Sequence, residues 1–96
     1  MIYRITCKKH PKFVYIGETQ RQFSKRAGEH RGYVNRNETN QPTGQHFTLP
    51  GHQTSDMTCI VIEQVLPAND PFLRKRREKF WINKYQSVEY GANTQG

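Results

Sequence analysis

The order of patterns along this chain predicts an α+β fold: a small three-stranded, mainly antiparallel sheet flanked by helices. Three observations carry that expectation. Two short β-branched runs lie close together at the N-terminus, a third lies near the middle, and segments of helical spacing follow the second and third runs. Read in order this is β-β-α-loop-β-α.

Residues 2–6 and 13–17 are apolar or alternate in polarity, with Lys8, Lys9, His10, Pro11 and Lys12 between them, and they read as a hairpin. The connection is too long for a tight two-residue turn. Thr19 followed by Gln22 predicts a capping box opening a helix, along which Phe23, Ala27, His30 and Val34 recur at helical spacing to about residue 35. Residues 37–56 are rich in Asn, Thr, Gln, Gly and Pro and read as loop, with one helical turn near residues 44–48. The run Met57, Thr58, Cys59, Ile60, Val61, Ile62 predicts a third strand, buried on at least one face. Asp70 directly before Pro71 places a capping carboxylate ahead of a proline at the first helical position. The helix that follows should run to about Tyr85, with Leu73, Phe80, Trp81 and Tyr85 facing inward, and Gly91, Ala92 and Asn93 should close the chain as coil.

Ninety-six residues suit a single domain over residues 1–96, with little room for a second. Because the chain opens inside a strand pattern, it also reads as a domain excised from a larger protein. Mean hydropathy is −0.96, low for a globular chain. Aromatic content of 11% and clustered apolar runs nevertheless argue for a folded core rather than disorder.

Fifteen Lys and Arg against eight Asp and Glu give a net charge of +7, which favours a polyanionic partner. A membrane is the rival, but no apolar run approaches the roughly 18 residues a spanning helix needs, and the basic stretches lack a continuous apolar face. Two cysteines are too few for a secreted disulfide scaffold, and the N-terminus has no apolar leader segment. The expectation is an intracellular, nuclear protein that binds nucleic acid.

Tyr3 and Tyr15 lie within the first two strand patterns, Arg26 and His30 share one face of the first helix, and Glu78 lies on the second. Two phenols, a guanidinium, an imidazole and a carboxylate are the groups metal-assisted phosphodiester cleavage requires. Each has a plainer reading: strand aromatics in a core, a surface arginine, a buried histidine, and an acid on a solvated helix face paired with Arg74. A second constellation is Cys7-x-x-His10 with His46 and His52 downstream, four nitrogen and sulfur donors that could hold a structural zinc. Its plainer reading is a free thiol and scattered histidines. Cys59, inside the third strand, reads as a small buried hydrophobe.

Tyr3, the string Tyr15-Ile16-Gly17, Arg26 with His30 four residues on, Glu78 before Phe80-Trp81-Ile82, and a late Asn93 together resemble the GIY-YIG endonuclease superfamily over nearly the whole chain. More narrowly, Ile2-Tyr3-Arg4-Ile5-x-Cys7, Tyr15-Ile16-Gly17-Glu18-Thr19, Glu29-His30-Arg31 and His46-Phe47-x-Leu49-Pro50-Gly51-His52 resemble the endonuclease domain of Penelope-like retrotransposons. Met1 stands where the first motif normally has glycine, which leaves Tyr3 in place.

The resemblance implies a metal-dependent DNA endonuclease that hydrolyses one strand per active site. It makes Glu78 the ligand of a single Mg²⁺ or Mn²⁺ ion, Arg26 the donor to the attacked phosphate, Tyr3 the general base relayed through His30, Tyr15 a group holding water and phosphate, and Asn93 a brace. It also raises the zinc reading of Cys7, His10, His46 and His52, since the Penelope-like domains carry a related Cys/His set. The expected parent protein is a retroelement polyprotein with a fused reverse transcriptase. DNA contacts are expected from Arg21, Lys25, Arg31 and Arg36 on the first helix and Arg74, Lys75, Arg76 and Lys79 on the last, mainly to phosphate and so with low sequence specificity. Two other classes remain open: a zinc-stabilised basic module that binds nucleic acid without cutting, and a protein-interaction fragment whose charge serves only solubility.

Overall fold

The computed structural model describes residues 1–20, 22–67 and 69–85. Strands β1 (Ile2–Cys7) and β2 (Val14–Glu18) are followed by helices α1 (Phe23–Asn35) and α2 (Pro42–Phe47), a 3₁₀ turn (Thr54–Asp56), strand β3 (Met57–Glu63) and helix α3 (Pro71–Tyr85). The three strands pair antiparallel in the order β2-β1-β3. The expected α+β architecture is the one observed.

β1 is the central strand, and its two-residue alternation divides the core into two halves. Tyr3, Ile5 and Cys7 point to one face, where they pack with Phe13, Val34 from α1 and Phe47 from α2. Ile2 points to the other, where Ile16, Val65 and Ile82 from α3 enclose it. Ile2, Tyr3 and Ile5 have no exposed surface at all. β1 is thus covered on both faces, and its two polar residues, Arg4 and Thr6, are its interior positions of intermediate burial.

Each helix starts and docks for an identifiable reason. At α3 the Asp70 carboxylate accepts from the Leu73 backbone N–H at 3.0 Å, with Pro71 at the first position, as the sequence predicted. At α1 the predicted capping box does not form: the helix starts at Phe23 with Gln22 before it and no side-chain cap. Thr19 is instead buried, and its backbone N–H and carbonyl bond the carbonyl and amino group of Met1, which ties it to the end of β1. The single helical turn expected near residues 44–48 is α2, which begins two residues earlier at Pro42. Gly44 lets α2 sit directly on the chain leaving α1, because a Cβ there would stand 2.1 Å from the Glu38 carbonyl oxygen. On α3, Leu73, Trp81 and Tyr85 pack inward as expected. Phe80 does not: it is exposed, with the Arg77 guanidinium 4.4 Å from its ring centroid, and Ile82 takes the buried position. The coil expected around Asn93 lies outside the described residues. Among those described, no helix is long and apolar enough to cross a membrane.

Candidate active site

The register of the hairpin brings the two tyrosines to one face. Tyr3 pairs with Gly17 and Ile5 with Tyr15, so both phenols lie on the α1 side, ring centroids 6.5 Å apart. Arg26 and His30, one turn apart on α1, close over them. Arg26 Nε–H donates to the Tyr3 hydroxyl at 2.9 Å, and His30 Nε2 lies 2.9 Å from the same oxygen. His30 Nδ1 is in turn 2.8 Å from Thr43 Oγ1 on α2. Tyr3, His30 and Thr43 are all essentially without exposed surface.

Electrostatics follow from that burial. Burial, with Tyr15 adding to it, pushes the Tyr3 phenol above its ordinary range, and Arg26 opposes the shift. Burial and then the Arg26 charge bring His30 down to about 4, so the ring is neutral at pH 7. Burial works against the Arg26 charge, but hydrogen bonds to Glu29, Tyr33 and Tyr3 outweigh it and hold the guanidinium charged. Its Nη1 donates to Glu29 Oε1 at 2.7 Å and to the Tyr33 hydroxyl at 3.2 Å.

Glu78 comes from α3, which packs on the opposite face, yet it reaches this group past the edge strand. α3 lies along β2, and there the Glu78 carboxylate meets the Glu18 backbone and the field of Tyr15. Burial raises the Tyr15 phenol, Arg26 opposes the shift and Glu78 adds to it, so this half-buried group lies in the field of both helices' charges at the edge of the sheet. Burial raises the Glu78 carboxyl above its usual range; Lys75 opposes this and Glu18 adds to it. Lys75 Nζ is 4.0 Å from Glu78 but 2.9 Å from Glu18, which already engages Arg74 Nε at 2.9 Å. A carboxylate taken from water with its nearby cation committed elsewhere is a site a divalent cation would fit.

The structure thus brings together Tyr3, Tyr15, Arg26 and His30, with Glu78 near enough to act on the Tyr15 phenol. Asn93 and Arg21 lie outside the described residues. Sequence reasoning missed Glu29, Tyr33, Glu18 and Thr43. Glu29 and Tyr33 stand three and seven residues after Arg26, a helical spacing that could have flagged both. Nothing local marks Glu18 or Thr43, whose partners are remote in sequence.

The second constellation also assembles. Donor atoms of Cys7, His46 and His52 lie within 4.8 Å of one another, close to the separation of about 3.5 Å that tetrahedral zinc ligands adopt. Among the described residues the Nε2 atoms of His46 and His52 are buried without a hydrogen-bond partner, and Cys7 is a buried free thiol. Burial, then His52 and His10, brings His46 down to about 4, which keeps it in the neutral form that ligates metal. These three residues fit a structural zinc. His10 stands apart from them: its ring centroid is 5.3 Å from that of His46, but it is exposed and its donor atoms are outside the converging set. Lys9 holds the two loops together by donating to the Gly51 carbonyl and pairing with Asp56 at 3.4 Å.

Of the residues expected to meet DNA, Lys25, Arg31, Arg36, Lys75, Arg76 and Lys79 are exposed. Arg36 is bonded to Glu38 at 2.8 Å and Lys75 to Glu18. Arg74 is a correction: it is only 7% exposed and is bound to Glu18 and Gln20, so it is an internal ion-pair partner between α3 and β2 rather than a phosphate contact. The ion pairs seen among the described residues are Arg74 with Glu18 and, at 4.0 Å, Lys75 with Glu78.

Comparison with known proteins agrees with this arrangement. The profile of the GIY-YIG catalytic domain matches residues 1–92. Among solved structures, the catalytic domain of homing endonuclease I-TevI superposes with a TM-score of 0.79 at 23% identity, covering 99% of this chain and 97% of that one. A mutant form of the catalytic domain of the intron endonuclease I-TevI gives a TM-score of 0.81 at 23% identity, covering 98% of this chain and 91% of that one. No curated protein matches significantly. The chain belongs to the GIY-YIG catalytic domain family and is a nuclease.

Proposed function

We propose that this domain is a metal-dependent DNA endonuclease that nicks one strand per active site by attack of water, leaving a 5′-phosphate and a 3′-hydroxyl. The observation that supports this reading above others is the convergence of Arg26 and His30 on the Tyr3 hydroxyl, 2.9 Å from each, beside a Tyr15 phenol that lies in the field of Glu78, in a basic domain. A Mg²⁺ or Mn²⁺ ion held by Glu78 would supply positive charge to the phosphoryl oxygens. Arg26, kept charged by Glu29, is a fork of donors for the same phosphate. Tyr15 holds the attacking water beside that phosphate. Tyr3 is the general base: its proton passes to His30 Nε2, and the phenolate left beside Arg26 takes a proton from water. Asn93 would brace the site. Exposed Lys25, Arg31, Arg36, Lys75, Arg76 and Lys79, with Arg21, contact phosphates without reading bases, so intrinsic specificity is low.

The Penelope-like strings around both tyrosines, and the convergence of Cys7, His46 and His52, favour an origin in a retrotransposon. In that setting the domain, over residues 1–96, makes the nick used for integration in the nucleus, as part of a longer polyprotein with a reverse transcriptase. Cys7, His46 and His52, with His10 swinging in as fourth ligand, hold a structural zinc. That cluster also favours the second reading, a zinc-stabilised module that binds nucleic acid without cutting.

Supercoiled plasmid with Mg²⁺ or Mn²⁺ separates the two. Nicking by the parent domain that is lost in Glu78→Gln and in Arg26→Ala supports the endonuclease. Equal cutting by all three proteins would end this assignment, and salt-sensitive binding without any cutting would favour the second reading.

A further inference from the structure

The imidazole of His30 is held at both nitrogens, and only one of its partners has a place in the reaction above. Nε2 faces the Tyr3 hydroxyl at 2.9 Å and Nδ1 faces Thr43 Oγ1 at 2.8 Å. Thr43 has no exposed surface, so no solvent competes for its hydroxyl. The contact is built by the fold. Pro42 opens α2 one residue earlier, and Gly44 follows with its Cα against the Glu38 and Tyr33 carbonyls, where a Cβ would stand 2.1 and 3.2 Å from the two oxygens. That close approach brings Thr43 to the buried side of His30.

The direction of the hydrogen bonds decides what the ring can do. Arg26 Nε has a single proton and gives it to the Tyr3 oxygen. If Tyr3 gives its own proton to His30 Nε2, a neutral ring must carry its proton on Nδ1 and donate it to Thr43. The opposite tautomer puts a proton on Nε2 and leaves His30 unable to accept from Tyr3.

We infer that Thr43 is a positioning residue for the reaction: by accepting from Nδ1–H it holds His30 in the tautomer whose Nε2 is open to the Tyr3 proton. When the transfer occurs, the Tyr3 O–H bond breaks and an N–H bond forms at Nε2. The imidazolium keeps its Nδ1–H bond to Thr43 and its new Nε2–H bond to the Tyr3 oxygen, so nothing need reorient. Among the described residues, Arg26, Glu29 and Tyr33 from α1, and Tyr3 and Tyr15 from the sheet, are the other charged or titratable groups facing the ring. This role rests on the endonuclease reading for its effect on rate, but the tautomer can be observed without any activity.

The test is long-range ¹H–¹⁵N spectroscopy of the histidine rings, with His30→Gln used to assign the resonances, alongside plasmid nicking. The parent protein at neutral pH should show His30 with a protonated Nδ1 and a bare Nε2, the less common tautomer of a free imidazole. Thr43→Val should shift the ring toward Nε2–H and slow nicking by about 10²-fold or more at unchanged DNA affinity. Thr43→Ser, which keeps the hydroxyl and loses only a methyl group, should restore both. An Nε2–H ring in the parent, an unaltered tautomer in Thr43→Val, or full nicking by that variant would overturn the inference. A parent that never nicks overturns the endonuclease reading instead, and the spectra then still decide whether Thr43 sets the tautomer.

Discussion

Tyr3 and Gly17 face each other across β1 and β2, and the phenol occupies the space a side chain at position 17 would need: a Cβ there would stand 2.3 Å from the Tyr3 hydroxyl. Both residues sit in paired strands, so neither backbone can retreat cheaply. Gly17→Ala should therefore dislodge the phenol from Arg26 and His30, destabilise the domain by about 1–3 kcal/mol and abolish nicking. Gly28→Ala is the contrast, since a Cβ there meets nothing nearer than 3.9 Å. In a helix interior that change should stabilise by about 0.5–1 kcal/mol. Urea melts and plasmid nicking of the two variants check the pair.

Glu18, partly buried, and Arg74, buried, are partners 56 residues apart that join the edge strand to α3. Lys75 and Arg74 hold the Glu18 carboxyl below its usual range although burial opposes them. Glu18→Gln removes the negative charge that Arg74 and Lys75 both engage, and should cost about 1.5–3 kcal/mol. Measured by urea midpoint, a loss below about 1 kcal/mol would mean that water, not Glu18, satisfies Arg74.

The architecture could be read from the chain because its signals are local: alternation through β1, helical recurrence of Ala27, His30 and Val34, and the Asp70–Pro71 start of α3. Tyr3, Tyr15, Arg26, His30 and Glu78 were legible as a motif; the hairpin register brings both tyrosines to α1, and the edge of β2 sets Glu78 near Tyr15. What was illegible depends on docking. Thr19 has a capping sequence, but Met1 claims its backbone first. Arg74 is one basic residue among several in its helix, and only the position of β2 against α3 turns it inward. Thr43 carries no pattern, because its partner lies on another helix and the approach is made by Gly44.

His30 and His46 are each lowered to about 4 by burial, whereas unfolded histidine titrates near 6.5. Between those values the unfolded chain binds more protons than the folded one, so stability rises with pH across that window and is lost as pH falls through it. For His30, which is 2% exposed, the limiting slope is about 1.4 kcal/mol per pH unit. Urea midpoints from pH 7 to 4 should fall accordingly, and His30→Gln should flatten the curve.

Salt dependence of DNA binding separates exposed cations from internal ones. Removing an exposed phosphate contact such as Lys79 should lower the slope of log K against log salt by about 1. Arg74→Ala should leave that slope unchanged while lowering stability, because Arg74 is bound to Glu18 inside the protein. A changed slope in Arg74→Ala would return it to the DNA surface.

Elemental analysis of the purified domain should find one zinc per chain, removed by a strong chelator and absent in Cys7→Ser, with thermal stability falling in both cases. A metal-free protein of unchanged stability would leave the Cys/His cluster as ordinary packing.

α2 is only six residues long, too short to hold its shape unaided, and it carries both Thr43 and His46. One end of the peptide is anchored in the thiol-imidazole cluster while the other grips the ring that would receive the Tyr3 proton. Stripping the proposed zinc or oxidising Cys7 would slacken that short segment and silence cutting from a distance, without touching any group that meets the scissile bond.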